Sequence, residues 1–182
     1  MATLNAIGFP VGATVPRSAE LVVRRTAGSD LDGVTAMLAR QPESNLYFRF
    51  QSAIGSPPRP SIVKLLLQGN GGTWLAERGD VVAGHGMWAW VTEAAIPTAE
   101  IAIIVDEAEQ GRGLGSRLFD LAVADAIAAG TRQFLLIVSA MNDKVLRMVR
   151  RRCPGAVFEY SGSLVTVTVD AADLGIGAGT RA

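Results

Sequence analysis

An α+β domain of seven strands and four helices is what the order of elements between Leu21 and Asp170 predicts: strand, two helices, three strands, helix, strand, helix, two strands. Segments such as Leu164-Val-Thr-Val-Thr-Val169 alternate with the period of a half-buried strand. Phe134-Leu-Leu-Ile-Val138 is instead an unbroken apolar run, of the kind buried on both faces of a sheet. Between them in character lies Gly111-Arg-Gly-Leu-Gly115, a glycine-rich loop that follows one strand and opens an amphipathic helix.

The elements follow in order. Residues 1–20 carry Gly8, Pro10, Gly12 and Pro16 without periodicity and read as a flexible leader. Leu21–Arg25 is an alternating strand, and Ser29 and Asp30 offer caps for a helix with apolar Leu31, Val34, Met37 and Leu38. Glu43–Phe50 packs three aromatics between Pro42 and the Pro57, Pro58, Pro60 cluster and reads as a cap or arm, before a second helix from Ser61 to Gln68. Gly69–Gly72 is a turn into the strand Thr73–Glu77, and Arg78-Gly-Asp80 closes a hairpin onto Val81–Val91. In that strand Gly84, Gly86, Trp88 and Trp90 share one face, and His85, Met87, Ala89 and Val91 the other. After the central strand and glycine loop, a helix with Leu114, Leu118, Leu121, Ala122 and Ala129 on one face stops at Gly130, with Asp125 inside the apolar arc. Asn142 starts the last helix, to about Arg152, and the hairpin Phe158–Val169 closes the domain. Residues 171–182, rich in glycine and alanine, read as a flexible tail.

Composition narrows the function. The 182 residues suit one domain. Seventeen basic side chains balance 17 acidic ones, which excludes bulk electrostatic capture of nucleic acid or anionic lipid. One cysteine and one histidine offer neither a disulfide nor a metal cluster, and no apolar run of about 20 residues could span a membrane. A cytoplasmic monomer or homodimer without metal is expected.

The glycine loop is an anion site by its chemistry. Without Cβ atoms the backbone can lie against a ligand, and the first N–H groups of the following helix have no intrahelical partner. The spacing is neither G-x-G-x-x-G, because Ser116 stands where the third glycine should be, nor a P-loop. A turn that merely starts a helix is the plain alternative. The arrangement Gln110-x-x-Gly113-x-Gly115, after a strand ending in Val105-Asp106, resembles the acetyl-CoA motif of the GNAT superfamily of N-acetyltransferases. The element order is similar to the GNAT fold from Leu21 to Asp170, with a mixed, mostly antiparallel sheet splayed between its fourth and fifth strands. Pro42-Glu-Ser-Asn-Leu-Tyr-Phe-Arg-Phe50 and Ala99-Glu-Ile-Ala-Ile-Ile-Val105 further resemble segments of bacterial Pat-type protein lysine acetyltransferases.

The resemblance implies acetyl-CoA as cosubstrate and a primary amine, foremost a protein lysine, as acceptor. It implies that Gln110, Gly111, Arg112, Gly113, Leu114, Gly115 and Ser116 hold the diphosphate. Ile103, Ile104 and Val105 would bind the pantetheine arm, with an oxyanion donor near Ile104. Asn142 would bond the arm, cap its helix, or both. Glu100, opening the central strand among apolar neighbours, is the candidate general base, with Glu93 as fallback. Val149 stands where many relatives carry a tyrosine acid, which puts a side-chain acid in doubt; Tyr47 and Tyr160 are alternatives. His85 reads as a packed histidine, and Lys144, Arg147, Arg150, Arg151 and Arg152 as either a solvated face or a clamp for phosphate or an acidic partner. The acceptor pocket is expected from Tyr47, residues 57–62 and the connector 88–97. A small amine or amino acid as acceptor, and a non-catalytic acyl-CoA sensor, are the competing readings.

Overall fold

The computed structural model describes residues 19–174. Seven strands form one sheet: β1 Leu21–Arg25, β2 Gly72–Arg78, β3 Val81–Trp90, β4 Thr98–Val105, β5 Gln133–Ser139, β6 Val157–Ser161 and β7 Leu164–Asp170. Five helices flank it: α1 Leu31–Ala39, α2 Glu43–Phe50, α3 Pro60–Leu67, α4 Leu114–Ala128 and α5 Asp143–Arg152. The strand order is β1-β2-β3-β4-β5-β7-β6, antiparallel except for β4 beside β5. That parallel pair is brief: Thr98 with Gln133, Ala99 with Phe134 and Glu100 with Leu135. From Ile101 onward β4 pairs with β3 alone, and from Leu136 onward β5 pairs with β7 alone, so the sheet parts along its middle.

The sheet has the seven strands expected, and a fifth helix joins the about four read from the sequence. The aromatic segment Glu43–Phe50 is itself a helix, with Pro42 at its N-cap position, where a missing N–H costs nothing. Asp30 does not cap α1 with its side chain; it accepts from Ala27 N–H at 2.6 Å and from Arg24 at 2.7 and 2.9 Å. The end of α4 matches its sequence signal. Gly130, at φ 97°, donates to the Ile127 carbonyl and Thr131 donates to that of Ala126, the paired bonds of a Schellman ending.

Two apolar layers hold the sheet. On one face Leu114, Leu118, Ala122 and Ala126 of α4, with Leu146 and Val149 of α5, pack on Ala83, Trp88, Phe134, Val138 and Val167. The glycines of β3 let α4 in: a Cβ on Gly86 would stand 3.1 Å from that of Leu118. On the other face Val34, Met37 and Leu38 of α1 and Val63, Leu66 and Leu67 of α3 cover Leu75, Val82 and Ile104. Each Val, Leu, Ile, Met or Phe side chain fully buried in this way contributes about 1.5–3 kcal/mol. Asp125 in the apolar arc of α4 is explained by distant partners: it accepts from Trp88 Nε1 at 2.8 Å and pairs with Arg25. The turn before β2 needs Gly71 for close approach, because a Cβ there would lie 2.2 Å from the Trp88 carbonyl oxygen.

Ala171–Leu174, the first residues of the expected tail, form a 3-10 turn in which Ala171 and Leu174 pack on the core. The expected leader through residue 18 and the rest of the tail, 175–182, lie outside the described residues. Among the described residues no helix is long and apolar enough to cross a membrane.

Candidate active site

A cleft of about 1030 Å³ opens where β4 and β5 part, running from the glycine loop past Ile103, Ile104 and Val105 to Glu100 and the C-terminal half of α2. The loop end leaves backbone donors free. Gly111 and Gly113 take φ 76° and 83°, a left-handed backbone that side chains disfavour, and neither has a neighbour within 4 Å of a would-be Cβ. Among the described residues no protein acceptor meets the N–H groups of Gly111 through Ser116; the first bond of the following turn is Arg117 N–H to the Gly113 carbonyl at 3.0 Å. These donors, at the positive end of α4, favour negative charge by up to about 2 kcal/mol in a partly buried setting.

Charged groups fix that loop from behind. Asp106, closing β4, accepts from Ala108 N–H at 3.1 Å and pairs with Arg40 at 3.0 Å. Glu109, 1% exposed, accepts from Arg78 Nη2 at 3.0 Å and Nε at 3.1 Å, and from Arg112 Nη1 at 3.3 Å. The Arg112 guanidinium is therefore turned to Glu109. Gln110 Nε2 donates to the Val105 carbonyl at 3.3 Å, and Lys144 Nζ donates to Gln110 Oε1 at 3.5 Å, tying α5 to the loop.

Of the residues expected to bind the coenzyme, Ile103, Ile104, Val105, Gln110, Gly111, Gly113, Gly115, Ser116 and Asn142 line the cleft. Leu114, 2% exposed, is packed in the core, and Arg112 is outside the lining. Asn142 caps α5 by accepting from Val145 N–H at 3.3 Å. Glu100 is half-buried and lines the cleft, whereas Glu93 sits exposed in the turn after β3, outside it. Val149 is fully buried, while Tyr47 and Tyr160 are exposed and do not reach the lining. Trp88 is core at 4% exposure and stacks edge-on with Trp90. The wall beside Glu100 comes from Asn45, Phe48, Arg49, Phe50 and Gln51 of the α2 end; Tyr47, residues 57–62 and the connector 88–97 do not contribute.

His85 is buried on the α3 side, with Nε2 at 3.1 Å from the Leu66 carbonyl and 2.8 Å from Thr73 Oγ1. Burial, seconded by the charge of Arg49, holds its pKa down to about 3, so it is a neutral packing group. Arg49 itself is the site residue that the sequence did not flag. Burial pulls its pKa down to about 10 while the charge of Glu100 opposes that shift.

The sequence model of the acetyltransferase (GNAT) family matches residues 40–153, more than half of the chain. The chain belongs to that family. The protein is thus a GNAT acetyltransferase, and the split sheet, the loop and the cleft fall within or beside the matched region. Solved GNAT structures share the fold. The GNAT domain of S. lividans PAT superposes with TM-score 0.69 at 21% identity, over 81% of this chain and 89% of that one. A phosphinothricin acetyltransferase from Sinorhizobium meliloti, solved with acetyl-CoA, gives 0.63 at 16% identity, over 88% and 92%. The ribosomal-protein-S18-alanine N-acetyltransferase of Escherichia coli gives 0.62 at 13% identity, over 84% and 94%. No curated protein sequence matches the chain.

Proposed function

We propose that this GNAT acetyltransferase moves the acetyl group of acetyl-CoA to the primary amine of a protein lysine, with Glu100 as general base. The observation that carries the reading is the continuity of one cleft from unpartnered loop amides, through the parted strands, to a half-buried carboxylate. In this reading the N–H groups from Gly111 to Ser116 hold the coenzyme diphosphate. The pantetheine arm takes the place of the missing strand partner beside Ile103, Ile104 and Val105, and Asn142 lies against it. The thioester then stands near Glu100.

A lysine ammonium, with a pKa near 10.4, costs roughly 4.6 kcal/mol to deprotonate at pH 7. The ammonium first gives one proton to solvent, and Glu100, reached directly or through water, accepts the second from the nitrogen as it attacks the thioester carbon. The C–N bond forms, the oxygen charge meets a β4 N–H near Ile104, and the C–S bond breaks to release the CoA thiolate. One oxyanion donor is worth about 10²-fold or more in rate. With Val149 buried, no side chain from that position protonates the sulfur, and the thiolate leaves as such. What supports a lysine acceptor is the Pat-like segment 42–50, which forms α2 and walls the acceptor end of the cleft. A small amine bearing a carboxylate is the second reading, favoured by Arg49 in the same wall.

Glu100→Gln tests the role of the base. Turnover should fall at least 100-fold, in line with the usual contribution of a positioned base, while acetyl-CoA affinity by calorimetry stays within about twofold. Turnover at the wild-type level would remove Glu100 from the mechanism.

A further inference from the structure

Arg49 is a charge that the acyl-transfer steps leave unused. It leaves the last turn of α2 and lines the cleft with Glu100. Nη2 meets only the thioether sulfur of Met87 at 3.3 Å, the guanidinium lies 4.9 Å from the Phe50 ring centroid, and Nε is sealed from solvent with no acceptor. Among the described residues no carboxylate comes within ion-pair distance of it, whereas Arg24, Arg25, Arg40 and Arg78 each hold an acid. A guanidinium has five donors and a strong preference for planar anions. Leaving it half out of water against sulfur and aromatic carbon is costly unless a ligand completes it.

We propose that Arg49 is the acceptor anchor, binding a carboxylate carried by the amine substrate so that the reacting nitrogen is delivered beside Glu100. The inference deepens the acceptor reading above and rests on it. In a protein the carboxylate belongs to an Asp or Glu side chain near the modified lysine; in a small acceptor it is the α-carboxylate of an amino acid. The acceptor end of the cleft, beside α2, then presents Arg49 and Glu100 to a substrate that carries the opposite pair of charges. A purely cationic acceptor meets only repulsion from Arg49, while the same positive charge disfavours the ammonium form of the bound amine and so favours the reactive one.

Thiol release tests this with paired acceptors: lysine peptides flanked by Asp and Glu against the same peptides with Asn and Gln, and free amino acids against their amides. The carboxylate member of the favoured pair should show at least tenfold higher kcat/KM, the scale of a hydrogen bond to a charged group. Which pair responds separates protein from small-molecule acceptors. In Arg49→Gln the preference should fall to within about twofold of unity, a ratio taken within one variant and so insensitive to lost stability, with acetyl-CoA calorimetry as the check on folding. Equal rates for the paired acceptors, or a preference that survives Arg49→Gln, would overturn the anchor alone. Acetyl-CoA binding without transfer to any amine would overturn the acceptor reading and the anchor together.

Discussion

Replacing Glu109 by Ala should separate what holds the glycine loop from what the loop binds. The carboxylate is 1% exposed and takes two hydrogen bonds from Arg78, whose side chain is 14% exposed, plus one from Arg112, which is 40% exposed. Truncation leaves the Arg78 charge largely buried without its carboxylate, held only by the Ala19 carbonyl at 2.5 Å, a change that typically costs about 3–5 kcal/mol. For a domain of this size that corresponds to a Tm drop of roughly 6–20 °C, at about 2–4 °C per kcal/mol. Replacing both members, Arg78→Leu with Glu109→Leu, removes the orphan charge and should recover most of the loss, since buried pairs often exchange with apolar residues at little cost. Urea unfolding of the wild type, Arg78→Leu, Glu109→Leu and the double variant measures this cycle, with Glu109→Ala beside them. Below the transition temperature, Glu109→Ala should also weaken acetyl-CoA binding, because Glu109 closes the 3-10 turn directly before Gln110. A stability loss under about 1 kcal/mol would refute the reasoning and show that water already compensates Arg78.

Two further perturbations probe the fold behind the site. His85 binds a proton in the unfolded chain near pH 6.5 but in the folded protein only at about 3, so its stabilising contribution is complete above pH 6.5 and drains away as pH falls toward 3. Stability should drop by about 1.4 kcal/mol per pH unit across that window from this group, and urea midpoints of His85→Gln should show a flatter pH dependence between pH 6.5 and 4.5; an unchanged slope would show that His85 is solvated. Gly71→Ala forces the turn before β2 off the Trp88 carbonyl and should cost roughly 1–3 kcal/mol. Gly28→Ala, with nothing within 4 Å, should stay within about 0.5 kcal/mol in the same unfolding assay.

The strands and α4 were legible because their signals are local: alternation in β7, an apolar run in β5, a glycine at each end of α4. The cleft was half legible. Its loop announces itself by glycine spacing, yet the wall opposite does not, since only Leu46 of α2 is buried and the half-buried aromatics of that helix face the cleft, giving no clean helical stripe. A site is where patterning rules are expected to fail, because side chains there are arranged for a ligand. Asp125 and Glu109 were unreadable for another reason. The partners that explain their burial lie far along the chain, 100 residues for Arg25 and 31 for Arg78, and only the more exposed Arg112 stands close in sequence to Glu109. Arg49 combined both difficulties: an arginine in an unassigned helix, whose meaning comes from lacking a partner.

Main-chain amides at the start of α4 should receive the coenzyme diphosphate while the pantetheine arm fills the gap between β4 and β5. A crystal structure with bound coenzyme A measures this directly. Diphosphate oxygens should lie about 2.7–3.2 Å from nitrogens between Gly111 and Ser116, with the arm running beside Ile103 to Val105. A diphosphate seated elsewhere, with the strands closed over the gap and the loop amides turned to solvent, would contradict it.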